Sequence, residues 1–308
     1  MLVKSGFSVT VERPQRRKMP FILVGGVTQA LLCDIAGDPG LFRDFPRIRK
    51  RTVVWGPDAE ARVLDHSAAI VSEQALLDRL WTGWCGAGER PAEWTILAAA
   101  PAPGSENHFG SRKAHVAEVD LKSERAACWI ESFDCGWMFL IAREDSTGSL
   151  ISVGARPRAF LESSRCIADL ISGVREAEGE QPAYPRIVTP MWGSGWILCG
   201  TAAMALDPLC GDGSGHSIRE GILASAVLRA IARGSEPRDV LEHYEFRLRA
   251  AFQRHLELCE KYYAAGRSGP WWDSELALLR GGLQWSRTHA AARSEWRYRL
   301  EGFDLLPA

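Results

Sequence analysis

The stretch Gly195–Arg233, GWILCGTAAMALDPLCGDGSGHSIREGILASAVLRAIAR, constrains the fold more than any other part of the chain. Trp196 to Cys199 is a short apolar run that reads as a buried strand. Gly200 to Gly215 is a loop rich in glycine with a single proline, Pro208. From about His216 the pattern turns helical, with Ile218, Ile222, Ala226, Leu228 and Ile231 at three-to-four spacing. Strand, glycine loop and helix in that order leave free N–H groups and the positive end of a helix dipole at the loop. That end suits an anion or a polarised ring. Glycines at 211, 213 and 215 let the backbone approach a flat ligand, because no Cβ intervenes. An ordinary strand–turn–helix connection would carry the same letters without a ligand.

The letters Gly200, Thr201, Ala202, Ala203, Asp207, Pro208, Leu209, Gly211, Asp212, Gly213 and Gly215 resemble a motif of FAD-dependent monooxygenases and halogenases of the glutathione-reductase-like fold. The family writes it GD-A-A-x-x-x-x-P-x-x-G-x-G, after the last strand of the FAD domain. The wording DPLxGDGxG is most similar to one branch of that family. That branch holds tryptophan halogenases, geranylgeranyl-reductase-like enzymes and the flavoproteins that modify tryptophan during tryptophylquinone maturation (GoxB/LodB-like). The resemblance implies FAD as cofactor, with NAD(P)H as its electron donor. It implies cofactor contacts from Gly200, Thr201, Asp207, Pro208, Gly211, Asp212, Gly213, Ser214 and Gly215, with the flavin ring beside Pro208. Thr201 stands where the family has an aspartate that bonds the ribityl chain, and a hydroxyl makes that bond more weakly than a carboxylate.

The N-terminus is the next informative stretch. Gly6 to Arg13 alternates apolar and small polar residues and reads as a strand with the carboxylate of Glu12 at its tip. In a dinucleotide fold the second strand ends so, and the acid takes the ribose hydroxyls. Val3 to Gly6 reads as a helix tail with its glycine cap. No G-x-G-x-x-G precedes it. The expectation is therefore an N-terminally shortened flavoprotein whose FAD domain lacks its first strand. Arg13 and the basic run Arg16, Arg17, Lys18 follow the acid, where family members place a cofactor-proximal cation.

A chain of 308 residues holds two modest domains or one large one, and a hydrophobic share of 46% supports a real core. A net charge of −1 argues against a nucleic-acid or anionic-membrane partner. The apolar run at Phe21–Leu32 is too short to span a bilayer. Eight cysteines are scattered without a CxxC pair, and no HxxxH-type pairing of histidines with them is evident. Metal binding and a disulfide scaffold are weak readings on that pattern, and a reducing, cytoplasmic home is expected.

Helices are expected over Val24–Ile35, Glu73–Trp84, Leu161–Val174 and Pro237–Tyr263, the last as one or two segments broken at Ser268-Gly269-Pro270. Strands are expected at Arg51–Trp55, Arg62–Val71, Trp94–Ala100, Lys113–Leu121, Ala126–Phe133, Trp137–Arg143 and Leu150–Arg156, with Gln181–Pro190 as a loop. The fold class is α/β (α+β overall). An FAD-binding Rossmann-like domain (1–50, 66–105 and 190–235) carries an inserted antiparallel substrate sheet (51–65 and 106–189) and a C-terminal helical region (236–308). Trp137, Phe139 and Ile141-Ala142 resemble a broken form of the halogenase G-W-x-W-x-I-P signature, so a hydroxylase-like enzyme is favoured. The reaction implied is oxygen transfer to an electron-rich aromatic group, such as a protein tryptophan. A halogenase, a prenyl-chain reductase and a non-catalytic remnant of such a flavoprotein are the alternatives.

Overall fold

A computed structural model describes residues 1–12, 21–58, 60–80, 92–99, 101–176, 179–290 and 297–308. In chain order, β1 (Ile22–Gly25) runs directly into α1 (Gly26–Ala36). Then come β2 (Arg47–Val54), β3 (Arg62–Val71), α2 (Glu73–Leu80), β4 (Thr95–Leu97) and β5 (Ser105–His108). The central run is β6 (Lys113–Leu121), β7 (Ala127–Phe133), β8 (Gly136–Ala142), β9 (Thr147–Val153) and α3 (Pro157–Leu161). Short strands follow: β10 (Ile171–Glu176), β11 (Gln181–Pro182), β12 (Arg186–Thr189), β13 (Trp192–Gly193) and β14 (Trp196–Leu198). The chain closes with α4 (Gly200–Ala203), β15 (Met204–Ala205), α5 (Gly213–Ala232), α6 (Pro237–Ala264), α7 (Pro270–Ala290), β16 (Tyr298–Glu301) and β17 (Asp304–Pro307).

Alternating patterns at 113–153 produce the main sheet, ordered β1-β3-β2-β7-β8-β9-β6-β10 with β11 also on β6. Its pairings are antiparallel except β2 with β7. One sheet therefore runs through strands between residues 22 and 182. One face buries Leu140, Leu150 and Met138 against Phe160 of α3, with Phe133 and Phe160 stacked at 4.5 Å. A second layer is smaller. There β14 pairs in parallel with β4 and antiparallel with β13. Ile197 and Leu198 of β14 pack with Ala224 and Val227 of α5 and Tyr244, Leu248 and Phe252 of α6. The Tyr244 hydroxyl donates to the Leu198 carbonyl at 2.6 Å, so its buried oxygen is satisfied.

Three sequence expectations are corrected. Gly6 to Glu12 forms no strand. Val3–Ser5 is a short 3-10 turn capped by Gly6 in the left-handed region, as the glycine suggested. Lys4 Nζ reaches the Ile35 carbonyl at 2.7 Å, tying this segment to the end of α1, while the sheet edge next to β3 is taken by β1. Period-two alternation specifies a pleat but not a partner. Leu161–Val174 is not a helix either. Glu131 accepts from the Arg165 amide at 2.6 Å and from Ser164 Oγ at 2.6 Å, and Ser164 Oγ accepts from the Ile167 and Ala168 amides at 3.0 Å. Those amides are captured by side chains, and the chain then pairs with β6 as β10. Gln181–Pro190 contains β11 and β12 besides its turns. Arg13, Arg16, Arg17, Lys18 and the end of the helix expected to Trp84 lie outside the described residues.

The layers meet at a buried ion cluster. Arg112, just before β6, donates from Nε and Nη2 to Asp207 Oδ2 at 2.8 and 2.5 Å, and from Nη1 to Glu275 Oε2 at 2.6 Å. Ser111 Oγ donates to Glu275 Oε1 at 2.6 Å, and the Tyr263 hydroxyl donates to Asp207 at 2.9 Å. Trp137 Nε1 reaches that hydroxyl at 3.2 Å, and the Arg112 guanidinium lies 4.6 Å from the Tyr263 ring centroid. The sheet, the glycine loop, α6 and α7 are thus joined through one guanidinium. Arg112→Met strands two buried carboxylates and is expected to cost about 3–5 kcal/mol, read as a lower denaturant midpoint.

Candidate functional site

The glycine loop leaves β14, turns once as α4, and reaches a 3-10 turn at Pro208–Cys210. Asp207 caps that turn by accepting from the Leu209 amide at 2.8 Å, and Gly211 takes the left-handed conformation (φ 67°) that ends it. The helix α5 begins at Gly213, one turn earlier than the apolar pattern showed. Among the described residues no side chain caps it. Its N-cap carboxylate, Asp212, is drawn instead to Arg219 and to His216, whose Nδ1 lies at 3.2 Å. The first N–H groups of α5 thus have no side-chain cap, and the neighbouring Pro208, Gly211 and Gly213 are exposed.

A second helix tip adjoins this one. α1 starts at Gly26 with Gly25 as an uncapped N-cap, and Gly25, Gly26 and Val27 are exposed. A Cβ on Gly215 would stand 2.7 Å from Thr28 Oγ1, so glycine is required where the two helices touch. Among the described residues, a Cβ on Gly213, Gly25 or Gly26 would meet nothing within 4 Å. Two helix N-termini without a side-chain cap lie side by side here, and such an arrangement favours an anion or a polarised ring. Arg51 of β2 overhangs the loop, its Nη2 lying 4.0 Å from where a Gly211 Cβ would be. Arg51 Nη2 is 3.2 Å from His66 Nε2, and its guanidinium lies 5.8 Å from the Phe139 ring centroid. Among the described residues its buried Nε has no hydrogen-bond partner of good geometry.

The nine loop residues expected to hold a cofactor divide into groups. Thr201, Pro208, Gly211 and Gly213 are exposed, and Asp212 and Ser214 are half-buried. Gly200 and Gly215 are buried, shaping the backbone. Thr201 Oγ1 donates to the Ala98 carbonyl at 3.3 Å. Asp207 is turned inward, its carboxylate held by Arg112 and Tyr263. The tenth residue, Glu12, is exposed and belongs to no strand.

Sequence reasoning missed four groups. Arg112 and Glu275 stand in unremarkable contexts and become partners of Asp207 only through folding. Glu220 of α5 is buried and accepts from the Gly200 amide at 2.6 Å; burial pushes its carboxyl up to about 8. Cys210 Sγ lies 3.6 Å from Cys259 Sγ, which is 3.3 Å from His255 Nε2. The hydrogen bond with Cys259, with His255 nearby, holds the Cys210 thiol below its ordinary range, whereas burial pushes Cys259 up. The spacing His255-x3-Cys259 places both on one helical face, which corrects the expectation that no histidine pairs with a cysteine at that spacing.

No family model matches the sequence, and no curated protein matches it. Among solved structures, the peptidyl tryptophan dihydroxylase QhpG superimposes on all of this chain and 82% of its own, with TM-score 0.71 and 20% identity. The myxobacterial chondrochloren halogenase CndH, an FAD-dependent halogenase, matches 90% of this chain and 83% of its own, with TM-score 0.66 and 15% identity. Aklavinone-11 hydroxylase, solved with FAD and aklavinone, matches 82% and 63%, with TM-score 0.59 and 13% identity. The chain has their fold. Within this fold the tips of α1 and α5 lie together, with Arg51 of the main sheet beside Gly211.

Glu220 makes the pH response of this site testable. Its folded pKa is raised, so the folded chain binds the extra proton between the unfolded value near 4.5 and about 8. Stability from this group is full below that window and falls as pH rises through it. Glu220→Gln keeps an acceptor for the Gly200 amide without the buried charge. Its melting temperature is expected to exceed the parent's above pH 8 and to match it near pH 5.

Proposed function

We propose that this protein is an FAD-dependent oxidoreductase of the monooxygenase type that transfers oxygen to an aromatic group such as a protein tryptophan. The observation that carries the reading is the open α5 tip, where uncapped N–H groups stand beside exposed Pro208, Gly211 and Gly213. QhpG, which shares the fold, is described as a peptidyl tryptophan dihydroxylase.

Bound here, FAD would supply the redox and oxygen chemistry that protein side chains lack. The chain's own part is positional. The N–H groups of α5 would stabilise negative charge at the near edge of the ring, and Pro208 would lie against its face. Thr201 would hold the ribityl chain in place of the usual carboxylate. Arg51 offers a cation, backed by His66, whose pKa burial lowers, so that its imidazole stays neutral beside the guanidinium. With Phe139 it makes a site for an electron-rich ring approached from the sheet side. In this reading 1–50, 66–105 and 190–235 surround the cofactor, 51–65 and 106–189 face the substrate, and 236–308 form a supporting cap. Among the described residues no helix is long and apolar enough to cross a membrane.

Purified protein incubated with FAD is expected to bind it, with a visible flavin band and quenched flavin fluorescence. Gly213→Val crowds the open helix tip and is expected to weaken FAD binding by about tenfold or more, or 1.4 kcal/mol, with unchanged circular dichroism. NAD(P)H-dependent oxygen uptake with a tryptophan peptide, and an oxygen-sized gain in the peptide's mass, would establish the reaction. A folded protein that takes up no FAD would overturn it.

A further inference from the structure

Behind the glycine loop lies a cluster that the flavoprotein reading does not use. Cys210 ends the 3-10 turn, and His255 and Cys259 sit one turn apart on α6. Their three ligand atoms lie within 4.8 Å of one another. We propose that Cys210 Sγ, Cys259 Sγ and His255 Nε2 bind a zinc ion, with a fourth position open to the cleft beside them.

Geometry is the first support. A tetrahedral zinc about 2.3 Å from sulfur and about 2.05 Å from nitrogen sets a sulfur–sulfur edge of about 3.8 Å and a sulfur–nitrogen edge of about 3.5 Å. The structure gives 3.6 Å for Cys210–Cys259 and 3.3 Å for Cys259–His255, each within a few tenths of an ångström. The imidazole is in the right form. Asp207 N–H donates to Nε2 at 2.8 Å, so Nε2 is unprotonated, as a ligand nitrogen must be. Metal binding exchanges that hydrogen bond for a coordinate bond.

Charge is the second support. The neighbouring cluster places two carboxylates, Asp207 and Glu275, against one guanidinium, so the buried surroundings carry an excess negative charge. Two thiolates and one divalent ion add none. Two thiolates with one divalent ion therefore leave the interior no more charged than two neutral thiols would. Thiolate with imidazole is also a donor set that selects zinc over the harder magnesium and calcium.

Access is the third. Cys210 and His255 line a cleft of about 190 Å³, shared with Asp212, His216, Ala251 and Arg254. A water from that cleft completes the tetrahedron, leaving three protein ligands and one open site. The ion would staple the turn that carries Pro208 to α6, fixing the height of the glycine loop independently of any flavin.

The test uses the full chain without added FAD. Protein equilibrated with zinc chloride and then desalted is expected to retain about one equivalent of zinc by elemental analysis. Cys210→Ser/Cys259→Ser and His255→Gln are expected to retain at least tenfold less under the same treatment, with circular dichroism as the control for folding. The parent protein loaded with cobalt(II) needs no variant: it should show thiolate-to-cobalt charge transfer and the strong visible bands of a tetrahedral ion. Zinc retention no greater than that of the double variant, or a cobalt spectrum without thiolate charge transfer, overturns the proposal. So does a Cys210–Cys259 disulfide found by mass spectrometry in protein kept under reductant. FAD binding is scored separately, so failure of the flavin reading leaves these outcomes readable.

Discussion

Arg112 is the residue through which the parts of this molecule hold one another. Its guanidinium is fully enclosed, with Asp207 of the glycine loop on one side and Glu275 of α7 on the other. Removing charges from water costs several kcal/mol each, and only near-ideal geometry repays it. Here the geometry is good: Arg112 makes three short hydrogen bonds, Ser111 satisfies the far side of Glu275, and Tyr263 covers the guanidinium face. The arrangement specifies position more than it adds stability. A shift of the loop relative to the sheet would break bonds that no water can replace.

Position matters because the glycine loop has little else to fix it. Its residues are small, and Pro208, Gly211 and Gly213 are exposed. Anchoring comes from beneath: Asp207 into the ion cluster and onto the Leu209 amide, Glu220 onto the Gly200 amide, and Ala202 and Ala203 into the core. The upper surface is then free to present backbone N–H groups. A ligand site on a rigid base and an open, glycine-rich top is what close approach of a flat ring demands.

The strands of the central sheet were legible because a half-buried strand writes its period into the letters. Lys113–Leu121 forms as read, and its neighbours shift by only a few residues at either end. Legibility failed where side chains capture backbone groups at long range. Nothing near Leu161–Val174 announces that Glu131, some thirty residues away, will take the amides of that segment. It failed also at Gly6–Glu12, where the pattern of a strand was present and the neighbour was not. At His255 and Cys259 the spacing was in plain view, but Cys210 joins them only because the 3-10 turn lies against α6.

By itself, the sequence determined the strand, loop and helix around Pro208, the antiparallel block after Lys113 and the helical C-terminal region. Each is written in local periodicity and in glycine and proline placement, which act within a few residues. The tertiary structure alone decided that Asp207 faces inward to Arg112 and not outward to a cofactor, and that the tips of α1 and α5 lie side by side. It also decided that two cysteines and a histidine share one cleft. Those are contacts between residues far apart in the chain, fixed by the burial of charge and the packing of layers, and no local pattern encodes them.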